Sequence, residues 1–435
     1  MTASVRSPNP SRRGVRVMII FFIFMLLHQS DKLLIGPLMS PIMDTFKINN
    51  YQWGLINTGA LVVGSLLYPV WGWLSDRYHR GKLLALASLI WGSTTWISAI
   101  APTYPFFLVT RSSTGIDDSS YPGLYSLVAD YFSPKERGKV YGILQLTQPI
   151  GYLIGMMLAL VLGGVIGWRA VFYITGSLGM FLAVVIFFGV KEIPRGSSEA
   201  ELEGVDKEKY KFSWKTAGEM LKKKTMLMIY SQGFFGIFPW NVISYFFFGY
   251  LERERHYSGD MMLFTMAPAI LVLAAGYPLG GFLGDRLFKR TPRGRLIVSA
   301  AGVILGAIFL YITMNIPFDQ PVLFAFMLLV TALFIPIAAP NVLSTIYDVT
   351  VPEVRSTANA VESFIENIGA AAAPLICGAI ADATSLSNAI LIICLVSWGL
   401  CFIFFFGAMY YIPKDLSDLH AQLHERAAVE TVKSR

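Results

Sequence analysis

Long apolar stretches, separated by short polar ones, run along the chain from residue 17 to residue 412. Each is close to the roughly 20 residues that a helix rising about 1.5 Å per residue needs to cross about 30 Å of hydrocarbon. Twelve such stretches are placed at 17–41, 52–74, 82–102, 105–131, 139–165, 169–190, 226–250, 260–284, 295–315, 321–347, 356–381 and 387–412. They are continuous rather than alternating, and backbone polar groups in lipid must be satisfied internally, so helices are expected and not the strands of a barrel. The pattern predicts an all-α polytopic membrane protein of twelve transmembrane helices.

Composition agrees: 54% of the 435 residues are hydrophobic, 14% are charged, and mean hydropathy is +0.56. The net charge of +7 raises the question of nucleic acid, and the placement of Lys and Arg answers it. With the N-terminus in the cytoplasm, 29 of the 35 basic residues fall on the inner side, and only Lys47, Arg169, Arg253 and Arg255 fall outside. The positive-inside rule thus puts both ends in the cytoplasm of a multi-pass protein of the cell membrane and accounts for the basic balance without nucleic acid. No cleavable signal is expected, because the basic residues through Arg16 lead into a full-length span. Cys377, Cys394 and Cys401 all lie within spans, which points to neither a disulfide framework nor a metal site.

The chain repeats itself. "PVWGWLSDR", Pro69 to Arg77, returns as "PLGGFLGDR", Pro278 to Arg286, and "DYFSPKERGKVYG", Asp130 to Gly142, aligns with "DVTVPEVRSTANA", Asp348 to Ala360. Such a period marks a duplicated unit. The expected organisation is a cytoplasmic tail 1–16, a six-helix bundle 17–194, a polar linker 195–224 with a short interfacial helix, a second six-helix bundle 225–413, and a tail 414–435.

Two pseudo-symmetric six-helix bundles resemble the major facilitator superfamily. The resemblance rests on Gly72-x-x-x-Asp76-Arg77-x-x-Arg80-Gly81-Lys82 and its second copy, Gly281-x-x-x-Asp285-Arg286. Within that superfamily, "YSLVADYFSPKERGKVYGI" and "KEIPRG" are similar to the spinster branch of lysolipid and sphingolipid-phosphate transporters, with Asp31-Lys32 where the branch has Asp-Arg and Asp118 where it has Glu. Span 11 departs from that pattern: Glu366 stands where His is expected and Ala370 where Asp is expected. The resemblance implies a cytoplasmic gate at Gly72, Asp76, Arg77, Arg80, Asp130, Arg137, Gly281, Asp285, Arg286, Asp348 and Arg355.

Charges inside the spans carry the remaining chemistry. Spans 3, 6, 9 and 12 have none in their interiors, whereas span 1 has Asp31 and Lys32, span 4 has Arg111, Asp117 and Asp118, and span 11 has Glu362 and Glu366. Each costs about 2.5–3.5 kcal/mol at the bilayer centre on insertion scales, so such groups face a cavity or one another. At about 1.5 Å per residue, Asp31 and Arg111 come out nearly level and are expected to pair. Asp118 and Glu362 come out level in the inner half. Pro122 leaves the carbonyl of residue 118 without its helix donor, which predicts a bend there. Asp118, Asp31, Glu362 and Glu366 are the proton-coupling candidates. Arg111, Lys32, Asp117, His28, Trp240 and Asn241 are the substrate-binding candidates. Plainer roles stand beside these: a structural Asp31–Arg111 pair, Lys32 extended to the outer interface, Asp117 facing a neighbouring helix about 100° from Asp118, and His28 as a hydrogen-bonded packing residue.

The expected function is a secondary active transporter, proton-coupled, moving a small organic or lysolipid-like solute by alternating access as a monomer without cofactor. An organic-anion symporter of the sugar-acid type, a cation or drug exporter, and a receptor on a transporter scaffold are the alternatives. An enzyme is not expected, since no metal-ligand cluster, nucleophile elbow or phosphate loop is present in the sequence.

Overall fold

The computed structural model describes residues 12–132, 140, 143–193, 218–219, 221–350 and 355–433, and among these no strand occurs. The helices are α1 (Arg12–Leu33), α2 (Met39–Phe46), α3 (Asn50–Arg77), α4 (Arg80–Ala99), α5 (Tyr104–Ser113), α6 (Gly115–Asp118), α7 (Tyr121–Tyr131), α8 (Thr147–Met157), α9 (Gly163–Ile166), α10 (Trp168–Gly189), α11 (Lys224–Arg253), α12 (Gly259–Phe288), α13 (Gly294–Met314), α14 (Pro321–Phe334), α15 (Ala338–Val349), α16 (Arg355–Ala383) and α17 (Leu386–Lys433). Ten helical stretches among the described residues are long and apolar enough to cross a membrane. The third expected span is α4, and the fourth is divided among α5, α6 and α7.

Several expected boundaries move, each at a residue that disfavours helix. The first span ends at Leu33 rather than residue 41, ahead of Gly36-Pro37, and resumes as α2, because the residue before a proline is pushed out of the α region. The tenth span divides at Pro336 into α14 and α15. The last span does not stop near residue 412: α17 continues to Lys433 through most of the expected tail. The linker and its interfacial helix lie largely outside the described residues.

The chain forms two compact units, one of Met1–Ile48 with Leu55–Asp206 and one of Asn49–Gly54 with Lys207–Arg435. In the first, α4 packs on α10 through glycines. A Cβ on Gly92 would come 2.5 Å from the Met180 nitrogen and 2.6 Å from the Gly176 oxygen, so only glycine permits this approach. α1 packs on α8 at Gly155, where a Cβ would lie 2.3 Å from the Ser30 oxygen. Phe21, Phe24, Trp91, Leu124, Leu127 and Leu144 fill the space between helices and are all buried. In the second unit, α11 packs against α16 and α17, with Gly369 against the Phe234 carbonyl. Glu254 closes the start of α17 by accepting hydrogen bonds from the Leu386 nitrogen at 2.6 Å and the Ser387 nitrogen at 3.2 Å.

Candidate functional site

The fourth span is where the first unit assembles its charges. The bend expected at residue 118 is a break at Ser119-Ser120, and a second break falls at Thr114. The breaks are tight turns. Thr114 donates from nitrogen and hydroxyl to the Arg111 carbonyl (3.2 and 2.7 Å), and the Ser120 nitrogen donates to the Asp117 carbonyl (2.9 Å). A carbonyl freed by the irregularity finds a new donor: Ile116 accepts from Trp71 Nε1 at 2.5 Å. Gly115 lets the short α6 lie directly on α3, since a Cβ there would be 2.0 Å from the Ala60 oxygen.

Both carboxylates at the end of α6, Asp117 and Asp118, reach α1. His28 sits between them, with Nε2 at 2.6 Å from Asp117 Oδ2 and 3.6 Å from Asp118 Oδ1. Its Nδ1 is 2.5 Å from the Tyr121 hydroxyl. Phe24 stacks on the imidazole and Trp91 meets it edge-on, with ring centroids 5.8 and 5.2 Å away. Lys32 donates to Asp118 Oδ2 at 2.8 Å, so its ammonium turns toward the bundle interior and does not extend to the outer interface. His28 and Asp117 are 4% and 1% exposed, which makes these hydrogen bonds necessary.

Asp31 and Arg111 face one another close by. Asp31 Oδ2 accepts from Trp91 Nε1 and Thr95 Oγ1, each at 3.0 Å, and lies 3.8 Å from Arg111 Nη1. The guanidinium lies over Phe172 at 5.1 Å. Asp31 Oδ1 and Arg111 Nη1 are buried without a hydrogen-bond partner among the described residues. Trp91, Thr95 and Tyr121 had no mark in the sequence beyond their spacing. They are the residues that tie spans 1, 3 and 4 together.

In the second unit, Glu362 and Glu366 stand one turn apart on α16 against Gly233 of α11. A Cβ on Gly233 would be 2.9 Å from Glu362 Oε1 and 3.3 Å from Glu366 Cγ. Glu362 is buried, and its Oε1 has no partner among the described residues. Of the other substrate-binding candidates, Asn241 donates to the Ile237 carbonyl of its own helix at 3.1 Å, and Trp240 is half-buried.

Residues expected to form a gate contribute to one arginine clamp in each unit. Arg80, 1% exposed, donates to Asp130 (2.6 Å), Glu192 (2.7 Å), the Ser126 hydroxyl (3.0 Å) and the Ile193 carbonyl (3.2 Å). In the second unit, Arg295 holds Asp285 at 2.8 Å and also Asp348. Glu192 and Arg295 were missed in the sequence. Glu192 lay inside the quoted "KEIPRG", and Arg295 opens the third span of its half as Arg80 does. Arg77 lies over Trp73 at 4.7 Å. Gly72 has open space where a Cβ would be, and Gly281 faces Pro340. The side chains of Asp76 and Arg355, and Arg137 altogether, lie outside the described residues.

The profile of the Major Facilitator Superfamily matches residues 17–374, well over half the chain. The chain belongs to that superfamily and is a membrane transporter, not an enzyme. It is similar to the spinster-like branch: Protein spinster homolog 1 of Xenopus tropicalis is 25% identical over 393 residues, which cover 85% of this chain and 73% of that one. The hexuronate transporter of Bacillus subtilis (strain 168) is 26% identical over 309 residues, covering 69% of this chain and 71% of the other. In fold, the chain matches the crystal structure of a bacterial homolog to the human lysosomal transporter Spinster, in an inward-facing and unoccupied conformation, with a TM-score of 0.80 at 19% identity. That match covers 94% of this chain and 99% of the other.

Proposed function

We propose that the protein is a proton-coupled secondary transporter that moves a small organic or amphiphilic, lysolipid-like solute by alternating access, with both termini in the cytoplasm. The observation that carries this reading is the cluster of His28, Asp117, Asp118 and Lys32. With a neutral imidazole the cluster holds two carboxylates against one ammonium, a net charge of −1, and one added proton makes it neutral. Burial makes the two states unequal in energy, and the inequality changes with hydration, which is the property that couples a proton to a change of exposure. Asp31 and Arg111 are balanced by one another and supply no such imbalance. Asp118 is the coupling carboxylate in this reading, because its Lys32 partner is the more accessible: the Lys32 side chain is 33% exposed against 5% for His28.

The test is uptake and efflux in proteoliposomes under an imposed pH gradient, with lysolipids, sugar acids and lipophilic cations as the panel. Asp118→Asn should abolish accumulation driven by the gradient while sparing substrate exchange. A variant that still concentrates substrate in response to pH would refute the assignment. A second reading, an organic-anion symporter, draws on Arg111, whose buried Nη1 has hydrogen-bonding capacity left over, and on the sugar-acid transporter among the relatives. It requires Arg111→Lys, which keeps the charge and loses the planar fork, to weaken an anionic substrate at least tenfold.

A further inference from the structure

A groove on the second unit lies apart from the buried charges of spans 1, 4 and 11, and one residue of the repeated motif, Arg286, borders it. At the basic ends of α12 and α13 the two helices part over a groove of about 290 Å³. Leu283 and Leu287 form one wall, Ala301 and Leu305 the other, and Ile337 the floor. Gly302 lets Ile337 lie close against α13 at the floor, since a Cβ there would come 2.9 Å from Ile337 Cγ2. Arg286 and Arg290 stand at the mouth, one helical turn apart.

Among the described residues no acid answers their charge. Asp285, the adjacent acid of the repeated motif, is already engaged by Arg295 through Nε at 3.1 Å and Nη2 at 2.8 Å. Arg286 and Arg290 are exposed and have no ion pair or side-chain hydrogen bond among the described residues. The first half differs at the matching place: Arg77 is covered by the face of Trp73, whereas Phe282 stands at that position in the second copy and makes no such contact with Arg286. So the second copy presents two open guanidinium groups above an apolar slot.

The dimensions suit one chemistry. Leu305 lies eleven residues into α13 from Gly294, about 16 Å along the helix, which is close to half of the roughly 30 Å of bilayer hydrocarbon. A methylene is similar in size to a water molecule, whose share of the liquid is about 30 Å³, so the groove takes on the order of ten chain carbons. An acyl chain can therefore lie along the groove while its headgroup stays level with the arginines. Arginine binds phosphate through two parallel N–H donors, and a phosphate diester supplies the anion.

We propose that this groove is a binding site for one anionic phospholipid, its chain between α12 and α13 and its phosphate on Arg286 and Arg290. The probes are phosphatidylglycerol and phosphatidylcholine of identical chains, titrated in detergent into the delipidated full-length protein and counted by native mass spectrometry. One phosphatidylglycerol should bind in preference to phosphatidylcholine. Each surface arginine contributes about fivefold to binding of an anionic lipid, so Arg286→Gln with Arg290→Gln should weaken phosphatidylglycerol about 25-fold and remove the preference. Ala301→Trp, which fills the slot and leaves both arginines, should weaken both lipids. Lys289→Gln removes an equal charge from an exposed neighbour that does not line the groove and should leave phosphatidylglycerol bound. Equal binding of the two lipids, loss of the preference in the Lys289 variant, or unchanged binding in the Ala301 variant would each overturn the site, and a matched thermal unfolding curve for each variant excludes misfolding as the cause.

Discussion

Removing the guanidinium of Arg80 should destabilise the first unit by several kcal/mol, about 3–5. Arg80 is 1% exposed and its partner Asp130 is 9% exposed, so deletion leaves a carboxylate with little access to water. Losing one partner of such a buried pair costs about 3–5 kcal/mol. The second partner, Glu192, is 23% exposed, so its share is screened and adds little to that range. For a unit of this size about 2–4 °C accompanies each kcal/mol, which puts the fall in melting temperature of Arg80→Ala at about 6–20 °C. Tryptophan fluorescence during thermal unfolding in detergent reads it. Arg80→Lys keeps the charge but cannot reach four acceptors at once, and should fall between wild type and Ala. The decisive comparison is Arg80→Met combined with Asp130→Asn and Glu192→Gln, which also removes the two carboxylate charges that Arg80 held and should recover at least half of the loss. A triple variant as unstable as Arg80→Ala would show that the ion pair is not what holds this end together.

Three further outcomes follow from particular contacts. Gly92→Val should prevent α4 from seating on α10, because its Cβ alone would overlap backbone atoms of Met180 and Gly176; a well-folded variant by size-exclusion chromatography would contradict that packing. Glu254→Ala should lower stability by about 1 kcal/mol through loss of the cap on α17 while Glu254→Gln, still an acceptor, loses less; the readout is the same unfolding assay, and equal losses would count against a capping role. His28→Gln should spare folding more than Asp117→Ala, since a glutamine still bonds Asp117 whereas Ala leaves the imidazole edge unpaired; the reverse order of melting temperatures would refute it.

The helical class, the duplication and the membrane setting were legible because each rests on a signal summed over many residues. Apolar runs recur twelve times and a nine-residue motif recurs once, so no single residue decides the result. What was not legible depends on one or two residues and their partners across space. Nothing announced the second break at Thr114, whereas Pro122 announced the bend beside residue 118, where the break at Ser119-Ser120 falls with Pro122 at the second helical position of α7. Asp117 and Asp118 both reach groups on α1, His28 and Lys32, which spacing along span 4 did not reveal. His28 was read without a partner for the same reason, as both of its partners, Asp117 and Tyr121, flank that break. The Asp31 and Arg111 juxtaposition came within reach of sequence because depth alone predicts it when both residues lie on regular helix.

The two arginine clamps show what duplication keeps and what it lets drift. In each half an arginine at the start of the third helix holds an aspartate near the end of the fourth, Arg80 with Asp130 and Arg295 with Asp348. The third member comes from different places: Glu192 follows the sixth helix of the first half, whereas Asp285 ends the second helix of the second half. A guanidinium has five donors in a fixed plane and accepts any carboxylate that completes the fork, so the pairing constrains the arginine more tightly than the acid. The exchange changes burial. Arg80 is sealed by its partners and by the chain at Ile193, while Arg295 and Asp285 keep side-chain exposures of 15% and 61%. The same charge arithmetic thus supports the first unit strongly and the second weakly, and Arg295→Ala is expected to lower melting temperature by less than half as much as Arg80→Ala. Equal losses would mean that burial does not set the strength of these clamps.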